Sequence, residues 1–188
     1  LENKEEMRKM KNVFRFFFAC ALVLAGSVLA GRVASAHTMP DSEAVLLYPR
    51  AQGSMDITVE FQCGMPLDEV EAVLGSDFEL QDNCYEFRIV RYTYGDIVFG
   101  ATVGRNDSRP TGEIPVRSIE CQSPYFHTPS GFRVGGNYAD VAAMYGEGEV
   151  SEYAPGEHIY TLPSYRSVSF TVDDADRITK ITIIAGDV

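Results

Sequence analysis

Three histidines and three cysteines carry most of the chemistry this chain could perform beyond its first thirty-six residues. His37, His127 and His158 are scattered, with no His pair at helical spacing, no G-x-S-x-G nucleophile elbow and no Gly-rich phosphate loop followed by Lys. His127 reads as a turn or satisfied polar residue, and His158, which precedes a strand, as a surface residue. "DDADR" sets Asp174 and Asp176 two apart, as a calcium loop does, but Thr179 and Ala185 stand where that loop needs Gly and Glu, so a hairpin turn is expected. No cofactor, no metal site and no catalytic set is assigned, and the chain reads as non-enzymatic. The alternative is a small secreted copper protein or envelope enzyme using His37. Cleavage after Ala36 would give that residue both an α-amine and an imidazole to offer a metal.

That cleavage is expected from the N-terminal region. Arg8, Lys9, Lys11 and Arg15 precede the apolar run "FFFACALVLAGSVLAG", and Ala34–Ala36 supply the small residues a signal peptidase cuts after. The run is about 16 residues, short of the roughly 20 a membrane span needs, so the mature chain is expected to be extracytoplasmic, secreted or in the cell envelope, with no membrane insertion. Removing residues 1–36 takes away six basic and three acidic residues and leaves 10 Lys+Arg against 24 Asp+Glu, a net charge of −14. Such a surface repels phosphate backbones, which excludes nucleic acid as a natural partner. An exported chain meets oxidising conditions, so Cys63, Cys84 and Cys121 suggest one disulfide and one free thiol. Cys121 matches Ile183 in the internal repeat described next and reads as a core residue, leaving Cys63 with Cys84 as the favoured pair. Closing that loop would contribute about 3 kcal/mol.

Tyrosine is abundant and tryptophan absent. Tyr85, Tyr92, Tyr94, Tyr153, Tyr160 and Tyr165 cluster around strand-like segments, and tyrosine joins apolar area to a polar tip, as protein interfaces favour. Tyr92, Tyr94, Tyr160 and Tyr165 are the candidate partner-binding residues, together with Arg105 and Arg109 in the polar loop "GRNDSRPTGEI". An N-x-S match at Asn106 lies in that loop.

The elements that must position them repeat. "GMPLDEVEAVLG" (Gly64–Gly75) is a helix stopped at both ends, and "GGNYADVAAMYG" (Gly135–Gly146) says nearly the same. Pro66 stands at the first position of one helix and Asn137 is the N-cap of the other. Leu67, Val70 and Leu74 form one apolar stripe, Tyr138, Val141 and Tyr145 the other, and Gly75 and Gly146 end them. The register then runs through a strand, Ile97 and Phe99 against Val168 and Phe170, and on to "VRSIEC" against "ITKITI", with nine extra residues in the first copy. The expected fold is α+β: two tandem repeats, each a short helical segment followed by an antiparallel meander of three to four strands, in two layers. Residues 37–122 form the N-terminal repeat with a leading segment. Residues 123–188 form the connecting segment and the C-terminal repeat.

The residues Gly64, Met65, Pro66, Val70 and Gly75, and more loosely Gly135, Val141 and Gly146, resemble the duplicated unit of the secreted β-lactamase inhibitory proteins and the single unit of the SmpA/OmlA outer-membrane assembly lipoproteins. The resemblance covers architecture over about 130 residues. It implies a non-catalytic module that holds a protein or cell-envelope partner on the open face of a sheet or on its loops.

Overall fold

The computed structural model describes residues 38–52 and 55–186. The signal segment, its cleavage site and the copper alternative at His37 fall outside them. Ten strands dominate: β1 (Val45–Gln52), β2 (Met55–Gln62), β3 (Glu79–Cys84), β4 (Phe87–Tyr94), β5 (Ile97–Gly104), β6 (Ser118–Cys121), β7 (Glu149–Val150), β8 (Glu157–Thr161), β9 (Ser167–Val172) and β10 (Ile178–Ile184). β1 and β2 make a separate antiparallel hairpin, and the other eight form a single sheet in the order β3-β4-β5-β6-β10-β9-β8-β7. The α+β expectation of two layered tandem repeats is therefore corrected to a mostly β architecture. The physical reason is continuity. β6 hydrogen-bonds to β5 on one side and to β10 on the other, so one ladder runs across the middle of the sheet. The helices are too short to form a layer of their own.

Those helices are α1 (Leu67–Leu74) and α2 (Tyr138–Tyr145), eight residues each. Pro66 precedes α1 in extended backbone, one position outside the first-turn place the sequence suggests, and offers no side-chain cap. Asn137 does cap α2, its side-chain oxygen accepting from the Ala139 N–H at 3.1 Å. Gly75 and Gly146 end the helices at φ 90° and 79°, a region that disfavours a Cβ, and donate back to Glu71 and Ala142 at 2.8 Å.

Register places the core. Across the sheet Tyr92, Phe99, Ile119, Ile183, Val168 and Tyr160 line up in one row, each opposite the next. The alternate residues make a row of Arg91, Gly100, Ser118, Ile184, Ser167 and Thr161. Because side chains alternate between faces, these rows lie on opposite sides. The hairpin and both helices reach the first face: Phe61 of β2 packs on Phe99 at 5.2 Å, Phe132, just before α2, on Phe170 at 6.0 Å, and Leu67 and Val70 of α1 are fully buried. The second face mixes serine, threonine and charged side chains with Ile89, Val98, Ile159 and Ile184.

Candidate functional site

Each tyrosine's place follows from strand parity. Tyr92 follows Val90 by two, so it shares Val90's core face, where it is buried and stacks on Phe78 at 4.1 Å between ring centroids. Tyr94 lies on the same face, half-buried, donating its hydroxyl to the Gly75 carbonyl at 3.0 Å and closing the C-terminus of α1. Burial, with Glu71 nearby, pushes its phenol up to about 12. Tyr160 is buried as well. Its hydroxyl donates to the Gly146 carbonyl at 2.8 Å and lies 2.9 Å from that of Tyr138, which accepts from the Gly148 N–H at 3.1 Å. A carbonyl only accepts, so the Tyr160 proton goes to Gly146 and Tyr138 donates to Tyr160. Desolvation raises both phenols above the ordinary tyrosine range, Tyr160 the further. Tyr92 and Tyr160 are thereby removed from any exposed partner-binding set: their parity puts them in the core.

Tyr165 differs. It is 80% exposed at the tip of the turn between β8 and β9, and its φ of 61° is a left-handed backbone that a bulky side chain rarely adopts. The turn is pinned at its base. Leu162 N–H donates to Arg166, Tyr165 N–H donates to Leu162, and Asp41 Oδ1 accepts from both the N–H and the hydroxyl of Ser164, at 3.0 and 2.5 Å. These bonds hold the Asp41 carboxyl below the usual carboxylate range.

The loop between β5 and β6 is built as firmly. Arg88 of β4 donates through Nε and Nη2 to the two oxygens of Asp82 at 3.0 and 2.7 Å. Its Nη1 reaches the backbone carbonyls of Asp107 and Arg109 at 3.4 and 2.7 Å, and Nη2 the Thr111 hydroxyl at 2.9 Å. Arg109 forks onto Asp107, with Nη2 to Oδ2 at 2.6 Å, and this pairing holds the Asp107 carboxyl down at about 2. Arg105 is exposed. Arg88 and Asp41 escape a reading for exposed tyrosines and loop arginines. Strand parity was the available signal for Arg88, since it alternates with Ile89 and Arg91 at the strand end nearest the loop.

The register brings some of these residues together. Gly100, Ser118, Ile184 and Ser167 share a row, and the 105–113 loop and Tyr165 both lie beyond that row at the same end of the sheet. The strands that carry them, β5 and β9, are three inter-strand spacings apart, about 15 Å. Tyr94 pairs with Ile97 at the opposite end. Between loop and turn, the second face presents Ser118, Ile184 and Ser167, with Glu120, Thr182 and Ser169 in the next row. The Ser169 hydroxyl donates to Glu157 at 2.8 Å, and the Thr182 hydroxyl is buried with no partner among the described residues.

The two described histidines are each engaged by neighbouring structure. His127 is tied into a backbone bridge with Leu47 and its Nδ1 lies 2.9 Å from the Thr128 carbonyl oxygen. His158 is a core-face residue rather than a surface one, stacked on Tyr138 at 4.0 Å, because it alternates with Ile159 in β8. Among the described residues no three of His, Cys, Asp and Glu gather as metal ligands. The favoured Cys63–Cys84 disulfide is corrected: all three thiols are free. Cys63 is buried and turned toward the Arg117 and Ile183 carbonyls, while Cys84 is exposed at the far end of β3 and contacts the Arg105 carbonyl at 3.6 Å. "DDADR" is a tight turn in which Asp173 Oδ1 accepts from the N–H groups of Ala175 and Arg177, both at 2.9 Å. A half-open concavity of about 250 Å³ borders Tyr160, lined also by Met39, Tyr145, Glu147 and Glu149.

Among the described residues no helix is long and apolar enough to cross a membrane. No family model matches the chain, and no curated protein matches it. Among solved structures, the chain is similar to an extracellular protein containing a SCP domain from Bacillus anthracis str. Ames, with 10% identity and a TM-score of 0.38 over 87% of this chain. This chain spans 50% of the length of that one, and a likeness at that score carries no argument for fold or function.

Proposed function

We propose that the chain is an extracytoplasmic, non-catalytic binding module that grips a protein or cell-envelope partner at the end of its large sheet formed by the Tyr165 turn and the 105–113 loop. The observation that carries this reading is Tyr165 itself. A large aromatic side chain, 80% exposed, is held in left-handed backbone by a turn that Asp41 clamps from outside. Such backbone costs about 1–3 kcal/mol and persists where surroundings over-determine it, commonly at binding sites. Arg109 and Arg105 stand on a loop made rigid by Arg88, and a rigid loop loses little entropy on binding.

The test is capture from native extracellular and envelope fractions by the full chain, quantified by mass spectrometry. It is compared with a double variant, Tyr165→Ala with Arg109→Ala, whose circular dichroism matches the parent. Saturable capture of one component that the double variant loses supports the reading. Equal capture by both proteins removes this end of the sheet from the function.

A further inference from the structure

The large sheet ends on one side in β3, six residues long and exposed throughout. At the other edge β7 has only two residues. The Tyr85 N–H donates to the Phe87 carbonyl at 3.1 Å, which makes the Cys84–Arg88 pair a non-hydrogen-bonded one in the antiparallel ladder. Hydrogen-bonded and non-hydrogen-bonded pairs alternate, so Glu79, Gln81 and Asn83 turn their backbone groups to β4, and Leu80, Asp82 and Cys84 turn theirs outward. Those outward N–H and C=O groups have no strand beside them among the described residues. The usual protections of an edge are charged side chains, lysine above all, proline and a bulge. β3 contains no lysine or proline and its register with β4 is unbroken, and its two charges, Glu79 and Asp82, are both acidic, so they guard it against acidic strands and not against basic ones.

The edge is also stiff. Asp82 receives both Arg88 bonds and the Thr111 hydroxyl, which fixes the middle of β3 against β4 and the 105–113 loop. Leu80 is 50% exposed on the core side of the strand, opposite Tyr92, which stacks on Phe78. From Asp77 to Glu86 the chain carries four acidic residues, Asp77, Glu79, Asp82 and Glu86, and no Lys or Arg. Of these four acids, only Asp82 forms an ion pair among the described residues. A second copy laid antiparallel on β3 would set these acids against their own kind, which disfavours self-pairing. A basic strand meets no such penalty.

We infer that β3 is a second docking edge, which takes an extended segment of a partner protein bearing alternate apolar and Lys or Arg side chains, added antiparallel as a ninth strand. Residues opposite Leu80, Asp82 and Cys84 place their side chains on the Leu80 face, where apolar groups extend the Phe78 and Tyr92 surface. The intervening basic residues lie on the Glu79 face. β3 touches the 105–113 loop through Asp82 and Cys84 but lies apart from the Tyr165 turn, so a change at Tyr165 separates the two readings.

The test uses the full chain and a seven-residue peptide alternating Lys and Val, with its analogue N-methylated at every Val. The two peptides carry the same charge and nearly the same side chains, but the second cannot donate to β3. Binding is read by isothermal titration and by hydrogen exchange at individual amides. The expected result is saturable binding of the first peptide, about tenfold or more weaker binding of the second, and slowed exchange at Leu80, Asp82 and Cys84. Leu80→Pro, which removes an outward N–H and the Leu80 side chain without taking a ladder bond from β4, should weaken binding at least as much, while Tyr165→Ala should leave it unchanged. Binding of both peptides within about twofold, or no saturable binding up to about 1 mM, overturns the inference. Because the peptide pair is compared on the parent chain, the test stands even if Leu80→Pro fails to fold.

Discussion

Tyr92 and Tyr160 share one row of side chains across the core face, with Phe99, Ile119, Ile183 and Val168 between them and Leu80 of β3 beyond Tyr92. Each is fixed from the covering side, Tyr92 by the Phe78 ring and Tyr160 by hydroxyl contacts to Tyr138 and Gly146. The carbonyls that α1 and α2 leave open at their ends are bonded by Tyr94 and Tyr160 respectively.

Tyr160→Phe should therefore destabilise by about 1–3 kcal/mol, because it strands the Gly146 carbonyl and leaves the Tyr138 hydroxyl without an acceptor. Tyr138→Phe should cost a similar amount by exposing the Gly148 N–H to the same loss. The double variant should cost less than the two singles added, since the three bonds form one chain. Urea denaturation of the four proteins measures this, and strict additivity would show that the hydroxyls act separately.

Stability should fall at alkaline pH. Burial raises Tyr94 to about 12 and Cys63 and Cys121 to about 11, and raises Tyr138 and Tyr160 as well. The unfolded chain releases thiol protons near 8.5 and phenol protons near 10. Between the unfolded and folded values the native state holds more protons, so the stability these groups contribute is intact below about pH 8.5 and is lost as pH rises toward about 12. The urea midpoint should drop continuously over that window. A flat midpoint to pH 11 would mean these groups are solvated in the native state.

The thiols divide by burial. A neutral alkylating reagent should modify Cys84 in the folded protein and spare Cys63 and Cys121, whose thiolates burial disfavours. In denaturant all three should react. Peptide mapping after a short pulse reads the outcome, and protection of Cys84 alongside Cys63 would instead indicate that the two are joined.

Arg88 should control the 105–113 loop. Its bonds to the Asp107 and Arg109 carbonyls and to Thr111 vanish in Arg88→Ala, so limited proteolysis should cut this loop at least several-fold faster while the sheet stays intact. Acid should do the same. Asp82 is held below the ordinary carboxylate range chiefly by the Arg88 bond, so its contribution is present above the unfolded carboxylate pKa of about 3.9 and is lost as pH falls through the lower folded value. Cleavage by an acid-active protease should rise steeply in that range for the parent and little for Arg88→Ala.

Much of this arrangement was legible where one residue decides one thing. Gly75 and Gly146 stop helices because their backbone turns left-handed, and Ile97, Phe99, Val168 and Phe170 alternate because one face is buried. Tyr92 was legible too, from its parity with Val90, but its type alone suggests an interface. The join between β6 and β10 was not. Each strand pairs with a neighbour far away in sequence, and no local pattern says whether two meanders stack or continue one sheet. Cys63, just past β2, defeats cysteine counting for a similar reason, because spacing carries no information on which way its side chain turns. The left-handed backbone of Tyr165 had no signal at all, since the sequence there offers neither Gly nor Asn.

That residue gives the sharpest separation of stability from function. In left-handed backbone Asn is favoured over Tyr and a β-branched side chain is disfavoured. Tyr165→Asn should keep or raise stability by about 0.5–1 kcal/mol, and Tyr165→Val should lower it by about 1 kcal/mol or more. Both remove the exposed ring. If the turn serves binding, both should lose the partner despite opposite stability changes, whereas a purely structural turn would let capture follow stability and leave Tyr165→Asn fully competent.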